Sequence, residues 1–314
     1  MINSDPHRSA ETSAPDARPD PCPQPTLVVF NPCAGTRSLH KTRGLVEKLL
    51  DHNRFKCEYA ETQSRGHAAA LGREAARAGY AYVIAVGGDG SVNEIATSLV
   101  GAQTVLGILP TGSGNGLARG LGMGGDLTQA IARLNTAEAT WMDYGLLNGR
   151  PFFNVAGIGY DGLMSHRIAG SRLRGLWGYL RLGLSASAGY RLRHYQVAGA
   201  HMAWQGKALL VAVANGDVYG YGMRITRQSR PDDGELELVI VARAPKWRYI
   251  ADLPKVLNGR MAELDYVHYF PRQTELLIRC APPGHAHVDG EAAFLSADFH
   301  VEIKARGIRV LRPM

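Results

Sequence analysis

"VGGDGSVNEIATSL", residues 86–99, is the stretch on which the fold turns. The apolar run Tyr82 to Val86 reads as a buried strand, passes into Gly87-Gly88-Asp89-Gly90 and opens a helix at Ser91. Glycines at such a turn let backbone N–H groups approach an anion, with the positive end of the helix dipole behind them. A phosphate loop has no need of an acid at its centre. Asp89 therefore fits one of two roles: holding a divalent cation that arrives with the phosphate, or capping the following helix.

Outward from this loop, strand and helix alternate. "TLVVFNP" is a strand, residues 38–52 form a helix with Leu39, Leu45, Val46, Leu49 and Leu50 inward, "KCEYAET" is a strand and "GHAAALGREAARAG" a helix. "AYVIAVGGDG" and "VLGILPTGSGNG" are two more strands, each ending in glycines. This pattern predicts a doubly wound parallel α/β domain over residues 25–142. Ligands in such sheets bind beyond the carboxyl ends of the strands, where all the Gly-rich loops lie. After Asp143 the runs "YGLLNGRPFFNVAGIGYD", "GELELVIVARA", "HAHVDGEAA" and "DFHVEIKARGIRVLRP" are strand-like and broken by Gly, Asn, Asp and Pro. They predict an antiparallel β-sandwich over 143–305, with residues 306–314 returning to the first domain and the active site in the cleft between the two. Residues 1–24 are polar and Pro-rich and read as a disordered leader.

The composition, 45% apolar and 20% charged, is that of a soluble globular protein. Four scattered cysteines with no CxxC pair suit reduced thiols in a cytoplasmic protein. No run of about 18 apolar residues is present to span a membrane. Basic and acidic side chains number 13 and 14 in residues 1–143 but 22 and 14 in 144–314, so the second half favours an anionic partner. No basic–aromatic recognition motif accompanies that charge, which argues against nucleic acid. "SRLRGLWGYLRLGLSASAGYRLRHY" places Leu173, Leu176, Trp177, Leu180 and Leu184 at helical spacing with arginines alongside; a helix over 170–188 would either lie in a membrane surface or pack on the sandwich.

No segment matches an ordinary P-loop or a dinucleotide fingerprint. The ordered set Asn31-Pro32 with Gly35, Gly87-Gly88-Asp89-Gly90 with Asn93-Glu94, Pro110-Thr111-Gly112-Ser113-Gly114-Asn115, and Asp289-Gly290-Glu291 resembles the diacylglycerol kinase catalytic-domain family. That family includes bacterial lipid kinases and the sphingosine and ceramide kinases. The resemblance implies ATP- and Mg²⁺-dependent phosphorylation of a hydroxyl of diacylglycerol or a related sphingoid lipid. The enzyme would sit peripherally on the inner face of an anionic membrane, with a homodimer left open. It assigns Asn31, Arg37, Thr62, Gly87, Gly88, Asp89, Gly90, Glu94, Ser113, Gly114 and Asn115 to the nucleotide, and Asp89 also to Mg²⁺. The spacing in "HVDGEAA" places Asp289 and Glu291 on one side of a strand; the resemblance makes Asp289 the general base, Glu291 a nearby acid, and Asp143, in "WMDYG", the acid paired with that base. Asp161, in "GIGYDGLMS", is implied at the lipid head group or else as a loop cap. Asp232 and Asp233 are implied at a structural Mg²⁺, although Asp-Gly is equally a hairpin turn. Many bacterial relatives carry an acid where this chain has Gly116. The competing expectations are an NAD kinase, which shares GGDG, and a non-catalytic nucleotide-binding relative.

Overall fold

Strand register explains why the glycine loops meet. In the computed structural model, which describes residues 22–35, 37–169, 189–220, 223–226 and 229–314, β1 (Gln24–Phe30), β2 (Phe55–Glu61), β3 (Tyr82–Gly87) and β4 (Val105–Pro110) are parallel, in the order β2-β1-β3-β4. Phe30 lies opposite Val86, and Gly87 opposite Pro110, so the loops after β1, β3 and β4 leave the sheet side by side. All residues of β3 and β4 are buried, as in a sheet covered on both faces. The covering helices are α1 (Leu39–Leu49), α2 (His67–Arg77), α3 (Asp89–Ser98) and α5 (Leu127–Thr136), with the short α4 (Gly116–Gly120) after the β4 loop. α2 can lie close on α3 because Gly72 has no side chain; a Cβ there would run into Ser98 Oγ.

β5 (Glu138–Leu147) leads out of this domain and β6 (Arg150–Phe152), β7 (Val155–Gly159) and α6 (Tyr160–Ala169) open the second. There β8 (Arg193–Gly199), β9 (Met202–Ala214), β12 (Leu236–Ala242), β13 (Val267–Gln273) and β14 (Glu275–Val288) pair antiparallel, with β10 (Val218–Gly220) and β11 (Met223–Arg224) as a small separate ribbon. Two short helices, α7 (Lys246–Ala251) and α8 (Leu253–Leu257), join β12 to β13.

One strand stitches the domains together. β15 (Glu291–Arg312) pairs with β14 in the sandwich, then antiparallel with β5, and finally parallel with β4 through Val310 and Leu106. Its end places Ile308, Val310 and Leu311 in the same core as Val28, Ile84 and Ile108. Burying such side chains is worth about 1.5–3 kcal/mol each, so this end of the strand belongs energetically to the first domain, while Phe299 and Val301 stay in the sandwich core. Among the described residues no helix is long and apolar enough to cross a membrane. The amphipathic segment expected over 170–188 lies outside the described residues. At the end of that quoted stretch, Tyr190 is buried and donates to the Leu209 carbonyl, while Arg193 donates to Pro282 O.

Candidate active site

The first domain supplies two glycine loops packed backbone to backbone. A Cβ at Gly112 would fall 2.6 Å from Gly88 Cα and 2.8 Å from Asn115 Oδ1, so GGDG and TGSGN can meet only as glycines. Asp89 is the first residue of α3, but its carboxylate does not cap that helix, whose N-cap is Gly88. It closes the neighbouring loop: Asn115 N–H donates to Oδ2 at 2.8 Å and Gly116 N–H to Oδ1 at 2.7 Å. Asn115 adopts left-handed φ +52° and its side-chain amide donates to Gly112 O. The expected cap on the following helix is therefore absent, and the carboxylate clamps the 112–116 loop instead. Gly112→Ala should separate the two loops, costing about 1–3 kcal/mol of stability by overpacking; thermal unfolding beside nucleotide affinity would measure both effects.

The second domain supplies Asp289. It was expected on one side of a strand with Glu291; instead Asp289 and Gly290, at φ +48° and +83°, are the two-residue loop of the β14–β15 hairpin. Positive φ at both positions is the type I′ geometry that Asp-Gly favours. The Asp289 carboxylate accepts four hydrogen bonds: Phe153 N–H and Asn93 Nδ2 on Oδ2, Asn154 and Val155 N–H on Oδ1, at 2.7–3.0 Å. Asn93 belongs to α3, so that bond crosses the cleft. Burial raises the Asp289 carboxyl above the ordinary aspartate range, and the four donors pull it part of the way back. Burial likewise raises Asp89; the Asn115 and Gly116 amides oppose this, and the Asp289 charge adds to it.

The two acids line one cavity of ≈ 170 Å³ with Asn93, Ser113, Asn154 and Tyr219. Glu291 lies over Gly90, where a Cβ would strike its Oε1, while Oε2 pairs with Arg65 at 3.1 Å and Arg150 at 3.9 Å. Both Arg65 and Glu291 are solvent-accessible, so their pair is worth about 1 kcal/mol at most; it ties the hairpin across the cleft.

The other expected site residues are placed around these loops. Asn31 donates to Ser91 Oγ and accepts from Cys33 N–H, bracing the β1 loop on α3. Thr62 N–H donates to Phe30 O, and Glu94 accepts from Gly66 N–H. Arg37 stands 3.9 Å from Asp126. Ser113 and Gly114 reach the cavity wall.

Three acids are placed away from that wall. Asp143, expected beside Asp289, is buried at the domain junction and accepts from Gly234 and Arg306 N–H. Its own carbonyl accepts from Asn215 Nδ2, which also donates to Phe153 O, so among the described residues it is linked to Asp289 through Asn215 and the 153–155 backbone. Asp232 pairs with Arg230 and Arg312, and Asp233 accepts from Glu235 N–H; the Asp-Gly here is a turn. Among the described residues no three His, Cys, Asp or Glu side chains cluster as metal ligands.

Asp161, expected at a lipid head group, is 2% exposed. It accepts from Gly162 N–H and from His287 Nε2 at 3.2 Å, with Tyr219 OH at 3.4 Å. Gly290 N–H donates to His287 Nδ1, so the imidazole carries its proton on Nε2 and its other side holds the hairpin loop next to Asp289. Gly157 makes room, since a Cβ there would overlap Asp161 and His287. His287→Ala should cost about 1–3 kcal/mol by taking one hydrogen-bond donor from the buried Asp161 carboxylate and should lower kcat more than it changes KM. Chemical denaturation and steady-state kinetics on the same preparation would check it.

Asn93, Asn154, His287 and Tyr219 were not singled out as site residues. A polar residue inside an apolar strand run, as in "FFNVAG", was the available signal. Asn154 also explains Gly116: a Cβ there would come within 2.6 Å of Asn154 Nδ2, so a side chain has no room at this position.

Two domains, glycine loops on one side of the cavity and an aspartate hairpin on the other, are the plan expected of the diacylglycerol kinase catalytic-domain family. Residues 25–147 match the diacylglycerol kinase catalytic domain and 154–312 the YegS C-terminal NAD kinase beta sandwich-like domain. A protein of Chromohalobacter salexigens named "Probable lipid kinase YegS-like" is 31% identical over 66% of this chain and 69% of its own. One of Pseudomonas syringae pv. tomato with the same name is 29% identical over 73% and 75%. The crystal structure of a diacylglycerol kinase from Bacillus anthracis superimposes with a TM-score of 0.70 at 20% identity, over 92% of this chain and 96% of that one, which speaks for the fold. The chain belongs to the YegS-type lipid kinase family.

Proposed function

We propose that the chain transfers the γ-phosphoryl group of ATP, with Mg²⁺, to a hydroxyl of diacylglycerol or a related sphingoid lipid, and that Asp289 is the general base. The observation that carries this reading is that Asp89 of one domain and Asp289 of the other face a single cavity. The 87–90 and 112–114 glycines let backbone approach the phosphates. Asp89 uses one acceptor position on each oxygen for Asn115 and Gly116 and keeps others for a cation. One or two carboxylates are the donor set that suits Mg²⁺ shared with phosphate and water. When bound, Mg²⁺ neutralises the charge of the transferring group.

For Asp289, three of the four donors are backbone groups and fixed; Asn93 is a side chain and can yield its place on Oδ2 to the acceptor hydroxyl. The raised carboxyl makes it a stronger base than an exposed aspartate. The test offers labelled ATP and Mg²⁺ with diacylglycerol, sphingosine, ceramide and NAD in parallel mixed micelles. Label in a lipid supports the reading and selects the acceptor. Label in NADP alone would replace it with an NAD kinase.

A further inference from the structure

The second domain turns an apolar stripe toward solvent. α7 and α8 run on through Asp252, which keeps helical φ/ψ of −86° and −2°. Trp247, Ile250, Ala251 and Pro254 follow i, i+3, i+4, i+7 spacing, and all four are exposed. Trp247 is 67% and Ile250 54% exposed. This is a helix pair with its apolar side outward, yet firmly mounted. On the inner side Tyr249 and Val256 join the core of β12 and β13, and Tyr249 OH donates to Ala242 O. Arg248 grips Asp265 with two bonds and lies over the Tyr266 ring.

Cations border the stripe. Arg243 and Lys246 precede Trp247 and are exposed, and exposed Lys207 is joined to Arg243 through the backbone. The acids of the same segment are already engaged: Asp252 with Arg248 and Lys255, Asp265 with Arg248, Glu263 with Arg260. α8 packs against β11, whose Met223 lines the catalytic cavity, so the stripe is one element removed from the cavity wall. Single exposed apolar side chains are ordinary. A tryptophan-led stripe beside cations, on a rigid mount near a kinase cleft, has the chemistry of a membrane interface.

We propose that this α7–α8 face, led by Trp247 and Ile250 with Arg243 and Lys246, is where the protein docks on an anionic bilayer. The inference rests on the reading that the acceptor is a membrane lipid. Its test is sedimentation of the full chain with phosphatidylcholine vesicles, with and without phosphatidylglycerol, beside turnover of a short-chain, water-soluble diacylglycerol. Wild type should bind the anionic vesicles, less so as salt rises. Trp247→Ser/Ile250→Ser should weaken binding by about 10-fold or more, and Arg243→Ser/Lys246→Ser should flatten the salt dependence, both with short-chain turnover unchanged. A Trp247→Ser/Ile250→Ser variant that binds like wild type overturns the proposal. So does one whose vesicle binding is unchanged while its mass in light scattering halves, since the face would then join two copies. Wild type that phosphorylates the short-chain lipid yet binds neither vesicle refutes docking and leaves the kinase reading standing. Stripe-dependent vesicle binding without any lipid phosphorylation upholds docking and refutes the acceptor.

Discussion

Asp289→Ala is expected to lower kcat by about 10³-fold, the middle of the range for a lost general base, with nucleotide affinity near wild type. Among the described residues Asn93 is the carboxylate's one hydrogen-bond partner from the glycine-loop domain, so its removal leaves the 87–90 and 112–116 loops intact. Water can reach the vacated position from the cavity, which limits the cost of freeing three backbone N–H groups. Nucleotide binding by calorimetry beside single-turnover rates separates the two effects; unchanged turnover would remove Asp289 from the chemistry. The acid limb of kcat/KM in wild type should lie above the pH at which an ordinary aspartate titrates, because burial raises this carboxyl and only its ionised form accepts a proton. The linked stability has the opposite sign. A carboxyl whose pKa is raised on folding binds its proton more tightly in the native state, so this contribution to stability falls as pH rises from the ordinary aspartate range through the raised value. Melting temperatures across that window should fall less steeply in the variant.

Asp89→Ala has the second largest expected effect. It removes the acceptor of both Asn115 and Gly116 N–H and loosens the loop that carries Ser113 and Gly114. Buried donors left unmade cost about 1–3 kcal/mol each, so a stability loss accompanies any catalytic one. If the carboxylate also holds Mg²⁺, kcat/KM should fall by about 10²-fold or more, and the free Mg²⁺ needed for half-maximal rate should rise. Rates titrated against Mg²⁺ at fixed ATP decide the matter. A variant with weakened stability but an unchanged Mg²⁺ titration would leave Asp89 as a loop clamp alone.

The sequence was most legible where the signal is local. Strand–glycine–helix repeats over 25–110 needed only periodicity and turn chemistry, and β3 and β4 are the buried strands they describe. Asp289 stood out through its motif, yet its hairpin turn was missed although Asp-Gly is a strong turn signal, applied instead to Asp233-Gly234. Asp143 and Asp161 were acids with family precedent, and nothing local distinguishes an acid beside a cavity from one clamping backbone. Their partners, Gly234 and Arg306 for one and His287 for the other, lie 91, 163 and 126 residues away along the chain.

By itself the sequence determined the two-domain plan, the glycine loops and the acids available for chemistry, because strand and helix periods and turn preferences act over a few residues. Only the tertiary structure decided which acids face each other. β15 runs through both domains, and its register sets Asp289 against Asn93 and the 153–155 backbone while leading Arg306 to Asp143. Desolvation and charge coupling depend on distances through space, and those are fixed by packing between segments far apart in the chain.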